Sequence, residues 1–195
     1  MPFVNYSTKE INCTVGYFGP AVAARLRSQQ LMHAGLRPMD RSKILSIGNS
    51  SGQVQQFDFL AYEIGTLRGM PFRAHLYCSD YEGINVVEHS RLNRIDGIIF
   101  VASTDPARMA ENLSSLHALS SLLAELRSRP TDRPLFALQY HDEGGEALST
   151  EAMNQQLNSA GHPTFNSADH HEGGVKEAVE DLLKRIRRQA MSRLA

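Results

Sequence analysis

The sequence has no tryptophan, only two cysteines and no apolar run long enough to cross a membrane. Because Cys13 and Cys78 both lie in apolar, strand-like stretches, we interpret them as reduced core residues of a cytosolic protein rather than a disulfide or a redox pair. The net charge of −1 provides no long-range field that would attract nucleic acid or an anionic membrane. The first residues also lack the basic-then-apolar order of a signal peptide. We therefore expect a cytoplasmic protein that neither inserts into membranes nor binds nucleic acid.

Apolar strand patterns alternate with helical patterns along the chain and predict one α/β domain over residues 1–195. The predicted strands cover residues 11–18, 43–47, 57–62, 72–77, 98–102, 135–140 and 162–165. Residues 57–62 and 72–77 are joined through Gly65 and Gly69, which predicts a hairpin. Residues 48–53 are polar and are predicted to form a loop.

Helical periodicity predicts helices over residues 23–33, 84–93, 150–158 and 175–190, and a further helix that begins at Asp105 and Pro106. The core stripe of that further helix is predicted to be Met109, Leu113, Leu116, Leu119, Leu123 and Leu126. This order of elements predicts a mostly parallel sheet that is covered by helices on both faces. Ligands of such sheets bind at the carboxyl ends of the strands.

The stretch from Gly16 to Leu26 stands where a phosphate-binding loop is expected, between the first strand and the first helix. A working loop reads G-x-x-x-x-G-K-[ST], so that backbone amides cradle phosphate, the lysine reaches the β and γ oxygens and the hydroxyl ligates magnesium. Gly19 begins this register, but the last three positions hold Ala24, Arg25 and Leu26. Arg25 lacks the compact ammonium of lysine, and Leu26 offers no oxygen to magnesium. The sequence thus has a segment where the phosphate-binding loop is expected, but it lacks the side chains that bind phosphate and magnesium.

Several short stretches of the chain resemble the MglA group, which are bacterial small GTPases that set cell polarity and motility. They read FVNYS at residues 3–7, EINC at 10–13, YFGP at 17–20, FDFL at 57–60, GTLRG at 65–69, HLY at 75–77, DGIIFVA at 96–102, RMAEN at 108–112 and QY at 139–140. The likeness covers most of the chain up to about residue 140. It implies a Ras-like P-loop NTPase fold, with a mostly parallel six-stranded sheet, one antiparallel hairpin strand and helices on both faces.

The resemblance also locates the two switch segments of a small GTPase. Switch I corresponds to residues 48–56, where residues 49–51 stand for the magnesium-binding threonine and Gln53 stands for an arginine that stabilises charge during hydrolysis. An arginine in that role is worth about 10³–10⁵ in rate where it is used. In switch II, Tyr81 replaces the glycine that meets the γ-phosphate, and Glu82 replaces the glutamine that positions the attacking water.

The base-reading motif N-K-x-D corresponds to residues 141–144, so His141 replaces the asparagine and Gly144 replaces the aspartate. Ser167 resembles the last guanine-side motif. Because four separated loops depart from the family while the stretches between them persist, we interpret the chain as a catalytically inactive pseudo-GTPase that binds proteins and is not an enzyme. We expect no catalytic residue, cofactor or metal, and a degenerate pocket formed by Gly19, Ala24, Arg25, Leu26, Tyr81, His141 and Gly144. Arg25 and Tyr81 are expected to fill part of that pocket.

The resemblance implies protein partners, for which the candidates are an MglA-type GTPase, a roadblock (MglB-like) protein and a motility or polarity scaffold. We expect the contact residues to be Phe57, Phe59, Tyr62, Tyr81 and Glu82. The alternative is a divergent small GTPase that still binds GTP or GDP weakly and switches partners. In that alternative Gly19, Arg25 and backbone amides hold the nucleotide.

A histidine-rich stretch near the C-terminus raises the question of a metal site. Residues 169–172 read DHHE, and His141 and His162 precede them. No H-x-x-x-H or H-E-x-x-H spacing is present, so an exposed polar loop is the preferred interpretation. A third alternative for the whole chain is a new ligand held by these histidines together with Asp142 and Glu143.

Overall fold

The computed structural model describes residues 2–49, 52–79, 92–126, 134–168 and 173–194. Its strands are β1 (Phe3–Asn5), β2 (Glu10–Phe18), β3 (Leu45–Asn49), β4 (Gly52–Leu60), β5 (Thr66–Leu67), β6 (Met70–Ser79), β7 (Gly97–Ser103), β8 (Leu135–Asp142) and β9 (Thr164–Ala168). Its helices are α1 (Val22–Gly35), α2 (Met109–Leu126), α3 (Thr150–Leu157) and α4 (Gly173–Leu194), with short 3₁₀ helices at Pro38–Asp40, Tyr62–Ile64 and Pro106–Arg108. Of the helix predicted over residues 84–93, all but the last two residues lie outside the described part of the chain.

The strands form one sheet in the order β3-β4-β6-β2-β7-β8-β9. Strands β6, β2, β7, β8 and β9 are parallel, whereas β4 pairs antiparallel with β6 and β3 pairs antiparallel with β4. The short strands β1 and β5 add antiparallel pairs to β2 and β6. The predicted mostly parallel sheet with an antiparallel hairpin strand is thereby confirmed.

The main path of the sheet has seven strands, which is the number predicted along the chain and one more than the six that the resemblance implies. Four residues predicted to form a polar loop are paired strand residues instead, with Gly48 opposite Gln53 and Asn49 opposite Gly52. Polar side chains are compatible with an edge strand, since backbone pairing satisfies the amides while the side chains remain in water.

Helices cover both faces of the sheet, as predicted. On one face, α1 and α4 pack against the residues of β2, β4 and β6 that include Val15, Phe57 and Leu76. On the other face, α2 and α3 pack against the residues of β7 and β8 that include Phe100 and Tyr140. The alternation of side chains along each strand produces these two separate cores.

The predicted core stripe of α2 is correct except at one position. Met109, Leu119 and Leu123 are buried, and Leu116 and Leu126 pack against the same core. Leu113 is 41% exposed, whereas its neighbour Asn112 is fully buried. The reason is that the Asn112 side chain hydrogen-bonds the backbone of Ser103, where its Oδ1 accepts from the amide at 3.2 Å and its Nδ2 donates to the carbonyl at 2.8 Å.

Candidate functional site at the carboxyl edge of the sheet

The junction between β2 and α1 is shorter than a phosphate-binding loop. Only residues 19–21 separate the last residue of β2 from Val22, the first residue of α1. The amide of Arg25 donates to the carbonyl of Ala21 at 3.0 Å, which is the first helical hydrogen bond. Ala24, Arg25 and Leu26 therefore lie in the first two turns of a helix, in agreement with the helix predicted over residues 23–33.

Gly19 is the position in this junction that needs glycine. Its φ is +119°, and a Cβ placed on it would lie 2.1 Å from the carbonyl oxygen of Val101 in β7. The backbone of the junction thus lies directly against the neighbouring strand, and no side chain fits between them.

Arg25 points into the protein rather than toward solvent. Its side chain is 1% exposed, and the adjacent Ala24 is 5% exposed. Leu26 is partly buried and packs against the core between the sheet and α1. The cation at the position of the phosphate-loop lysine is thus enclosed by the fold, and the position of the magnesium hydroxyl is part of the hydrocarbon core.

A chain of buried polar side chains links α1 to β8 and β9 beneath this edge. Gln139 Nε2 donates to the hydroxyls of Ser28 at 2.6 Å and Ser167 at 2.9 Å. The Ser167 hydroxyl also lies 3.2 Å from Nδ1 of His141. All four residues are at least 94% buried. In the described part of the chain no donor reaches Gln139 Oε1, so this acceptor is buried without a hydrogen bond there.

The residues that the resemblance assigns to guanine recognition lie at the same carboxyl edge of the sheet. The carbonyl of His141 accepts from the amide and the hydroxyl of Thr104, which ties the ends of β7 and β8 together. Gly144 has a φ of +78°, and its amide donates to Asp142 Oδ1 at 2.8 Å in a tight turn. Glu143 is paired with Arg108 at 2.8 Å. Gly144 therefore has only backbone groups at the position where the N-K-x-D motif has the aspartate side chain that pairs with guanine.

Sequence reasoning identified His141 and Ser167 but missed Ser28 and Gln139. A signal for both was present, because a polar side chain within an apolar strand or a helix face must find a partner when it is buried. Gln139 interrupts the apolar run of β8, and Ser28 lies on the sheet-facing side of α1.

A magnesium-bound guanine nucleotide does not fit the described residues in the arrangement that the resemblance implies. Arg25 is enclosed, Leu26 has no oxygen, and Gly144 has no side chain to pair with the guanine edge. Gln53, at the arginine position of switch I, has its Oε1 hydrogen-bonded by the Ser46 hydroxyl. Residues 50–51, Tyr81 and Glu82 lie outside the described residues.

The predicted partner-binding residues separate into three groups. Phe57 and Phe59 are 1% and 2% exposed, because their side chains lie on the face of β4 that α1 covers. As contact residues they are therefore excluded while the fold is intact. Tyr62 is 51% exposed, in a 3₁₀ helix after β4 rather than in the strand that was predicted. Tyr81 and Glu82 lie outside the described residues.

No cluster of three or more potential metal-ligating side chains occurs among the residues that the structure describes, and residues 169–172 lie outside them. Within the same described part, none of the helices is long and apolar enough to span a membrane.

Comparisons with known proteins show what the chain is similar to. No protein-family model matches the chain. The mutual gliding-motility protein MglA of Myxococcus xanthus (strain DK1622) is 29% identical to it over 190 residues, which cover 95% of this chain and 96% of MglA. The chain is MglA-like. Its α/β architecture, with a mostly parallel sheet, is the Ras-like fold of the small GTPases to which MglA belongs.

This similarity contradicts the prediction that the chain is not an enzyme, because the MglA-type proteins are a family of GTPases. The substitutions at positions 24–26 and 144 are real differences in the site, but they do not amount to evidence of inactivity. The candidate site of this MglA-like protein is thus defined by the residues that lie at the carboxyl edge of its sheet, namely Gly19, Gln139, His141 and the first residues of α1.

Proposed function

We propose that this MglA-like protein acts in bacterial cell polarity or gliding motility by binding protein partners through the edge formed by β3 and β4. The candidate partners are a roadblock (MglB-like) protein, an MglA-type GTPase and a motility or polarity scaffold. The protein works in the cytoplasm. This localisation is supported by Cys13 and Cys78, which are both buried and are not in a disulfide.

The observation that supports this proposal is a pair of exposed apolar side chains on the edge strand. Leu45 and Ile47 are 59% and 57% exposed, and they lie on the same side of β3 because side chains two residues apart share a face. The outer edge of β3 is the end of the strand order, and none of the described strands pairs with its outer backbone groups, which suits a partner strand. Exposed apolar residues beside an unpaired strand edge are typical of a protein-binding surface.

The proposal is tested by measuring the affinity of the purified protein for each candidate partner by calorimetry. The double variant Leu45→Lys, Ile47→Lys places two hydrated charges on the surface and is expected to weaken binding at least about tenfold. The matched control is Gln156→Lys, which adds a lysine on an exposed part of α3. Equal affinities of the wild type and the double variant for a bound partner would overturn the assignment of this surface.

A second candidate function is nucleotide-dependent switching, in which the protein binds GTP or GDP weakly. It is favoured by the convergence of Gly19, His141 and Ser167 at the carboxyl edge of the parallel strands, where ligands of such sheets bind. Backbone amides at the start of α1 are the groups that attract an anion there.

Titration of the protein with fluorescent GDP and GTP, with and without magnesium, tests the second candidate. Saturable binding together with phosphate release supports it, and we expect little effect of magnesium because Leu26 offers no ligand. The variant Gln139→Met removes a polar group beneath the site and is expected to weaken nucleotide binding, whereas Gln156→Met leaves it unchanged. The absence of saturable binding at millimolar nucleotide would reject this candidate without affecting the partner-binding proposal.

A further inference from the structure

The two terminal strands of the sheet, β3 and β9, differ in what they expose. β3 carries two exposed large apolar side chains, those of Leu45 and Ile47. In β9 the exposed residue is Asn166, and its amide group is hydrogen-bonded with the Thr150 hydroxyl of α3. Of these two edges, only that of β3 combines a terminal strand with apolar side chains in water.

The edge of β3 also lacks the features that normally keep two strand edges apart, which are charged side chains, proline and bulges. Residues 45–49 read LSIGN and contain neither a charge nor a proline. Their pairing with β4 has no bulge, because the register runs without interruption from Leu45 opposite Gln56 to Asn49 opposite Gly52. The edge is therefore regular and uncharged, as strand addition requires.

The sequence of β3 is complementary to itself when the strand pairs antiparallel with a second copy. In a contact with twofold symmetry, each residue of one copy meets the same partner position in the other copy. If the axis passes through Ser46, Leu45 lies opposite Ile47 of the second copy, and Ile47 lies opposite Leu45 of the second copy. Residues that oppose each other share a face of the sheet, so the four apolar side chains form one continuous cluster.

Other symmetric registers lose part of this match. An axis at Leu45 places Ile47 opposite the charged Lys43, and an axis at Ile47 places Leu45 opposite Asn49. An axis between two residues puts the apolar side chains of the two copies on opposite faces, because successive residues alternate. The register centred on Ser46 also opposes no like charges, since Lys43 then lies opposite Asn49.

We propose that a second copy of this chain pairs with β3, antiparallel and centred on Ser46, so that the two sheets become continuous. A contact of this symmetry closes at two copies, so the assembly is a dimer rather than a filament. The inference rests on the proposed function, because it concerns the same protein-binding edge. It adds regulation to that edge, since a second copy and a partner exclude each other and the amount of free edge depends on protein concentration.

Cysteine cross-linking tests the register. Ser46→Cys places two thiols opposite each other, where facing Cβ atoms are about 4.5–5.5 Å apart, close to the separation in a disulfide. The native Cys13 and Cys78 are buried and do not compete. We expect Ser46→Cys to form a covalent dimer under mild oxidation, and the control Gln156→Cys, at an exposed position of α3, to remain monomeric. A yield of dimer for Ser46→Cys no higher than that of the control would overturn the assigned register.

Analytical ultracentrifugation of the full chain measures self-association. We expect the wild type to shift from monomer to dimer between about 1 µM and about 100 µM. The double variant Leu45→Lys, Ile47→Lys opposes lysines to lysines and should stay monomeric, as should Leu45→Glu, Ile47→Glu, whereas an equimolar mixture of the two should form a dimer. The dimer in the mixture shows that both variants fold. A wild type that stays monomeric over this range, or charge variants that each dimerise alone as the wild type does, would contradict the proposal.

Failure of this inference is distinguishable from failure of the proposed function. A monomeric wild type that binds a candidate partner, with the affinity lowered by Leu45→Lys, Ile47→Lys, rejects the second copy alone as an occupant of the edge. A dimer in the assigned register that binds none of the candidate partners rejects the proposed function alone. Where both hold, a saturating partner is expected to lower the yield of the Ser46→Cys cross-link, and an unchanged yield would contradict the regulation by a shared edge.

Discussion

Gln139 and Ser28 are 111 residues apart in the chain, yet Nε2 of Gln139 donates a 2.6 Å hydrogen bond to the hydroxyl of Ser28 inside the protein. Through this contact and the second bond from Gln139 to Ser167, the first helix is held to the two strands whose ends carry the base-reading positions. The buried polar chain therefore couples the stability of the fold to the geometry of the candidate site.

Replacing Gln139 with methionine is expected to destabilise the protein by about 1–3 kcal/mol. The substitution conserves volume, but it leaves the buried hydroxyls of Ser28 and Ser167 without their shared donor. Urea unfolding monitored by circular dichroism measures the change. Gln156→Met, at an exposed position of α3, is the matched control and should shift the free energy of unfolding by less than about 0.5 kcal/mol. A change at position 139 no larger than that of the control would mean that the chain of hydrogen bonds does not contribute to stability.

Alanine substitutions at two glycines with positive φ distinguish the cost of backbone strain from the cost of a steric clash. At Gly69, with a φ of +78°, a Cβ would meet nothing within 4 Å, so Gly69→Ala is expected to cost only the strain of about 1–3 kcal/mol. At Gly19 the Cβ would also lie 2.1 Å from the Val101 carbonyl oxygen, so Gly19→Ala must in addition displace the β2–α1 junction. We expect thermal unfolding to show a clearly larger loss for Gly19→Ala. Equal losses for the two variants would show that the junction moves away from β7 at no cost.

The strands and the helical layers could be predicted because each depends on a local pattern that is repeated along an element. Residues 98–102, for example, are a continuous apolar run, and all seven residues of β7 are buried. The start of α1 near residue 23 was also predicted, but the close approach of Gly19 to β7 was not, because it is a long-range contact that spacing does not reveal. Ser28 and Gln139 were missed because each appears as an isolated polar residue until the fold brings them together.

The side-chain contacts between neighbouring strands could not be predicted from the sequence pattern either. His75 connects three strands, since its Nδ1 lies 2.8 Å from Asp58 Oδ1 in β4 and its Nε2 lies 2.7 Å from Asn12 Oδ1 in β2. Nothing in the sequence indicates that these three positions share one face of the sheet, because that depends on the register of both pairings.

The contact between Asp58 and His75 predicts that the free energy of unfolding depends on pH in the acid range. The hydrogen bond from His75 lowers the pKa of Asp58, so the folded state favours the carboxylate. The resulting stabilisation is fully present above the ordinary pKa of aspartate, about 4, and is lost as the pH falls through the lower pKa of the folded state. Because both side chains are partly exposed, the effect is expected to be at most about 1 kcal/mol.

Urea unfolding of Asp58→Asn between pH 2.5 and pH 6 measures this contribution. We expect the variant to be less stable than the wild type at pH 6, and the difference to shrink toward the acid end of the range. The control is Glu146→Gln, an exposed carboxylate in the loop after β8 that should leave the difference constant. A gap between Asp58→Asn and the wild type that widens on acidification would contradict the assigned direction.

Adjacent positions on α2 provide a test of which residue faces the core. Asn112 is fully buried and hydrogen-bonds both the amide and the carbonyl of Ser103, whereas Leu113 is 41% exposed. Apolar periodicity predicts that leucine is favoured on the inner face, so Asn112→Leu would be harmless and Leu113→Asn costly. The contacts of Asn112 lead to the opposite expectation. Asn112→Leu leaves two backbone groups at the end of β7 unsatisfied and should cost about 1–3 kcal/mol or more, while Leu113→Asn should cost less than about 1 kcal/mol. The two free energies of unfolding, measured side by side in urea, decide between these expectations, and a larger loss at position 113 would favour the periodic pattern over the hydrogen-bonded cap.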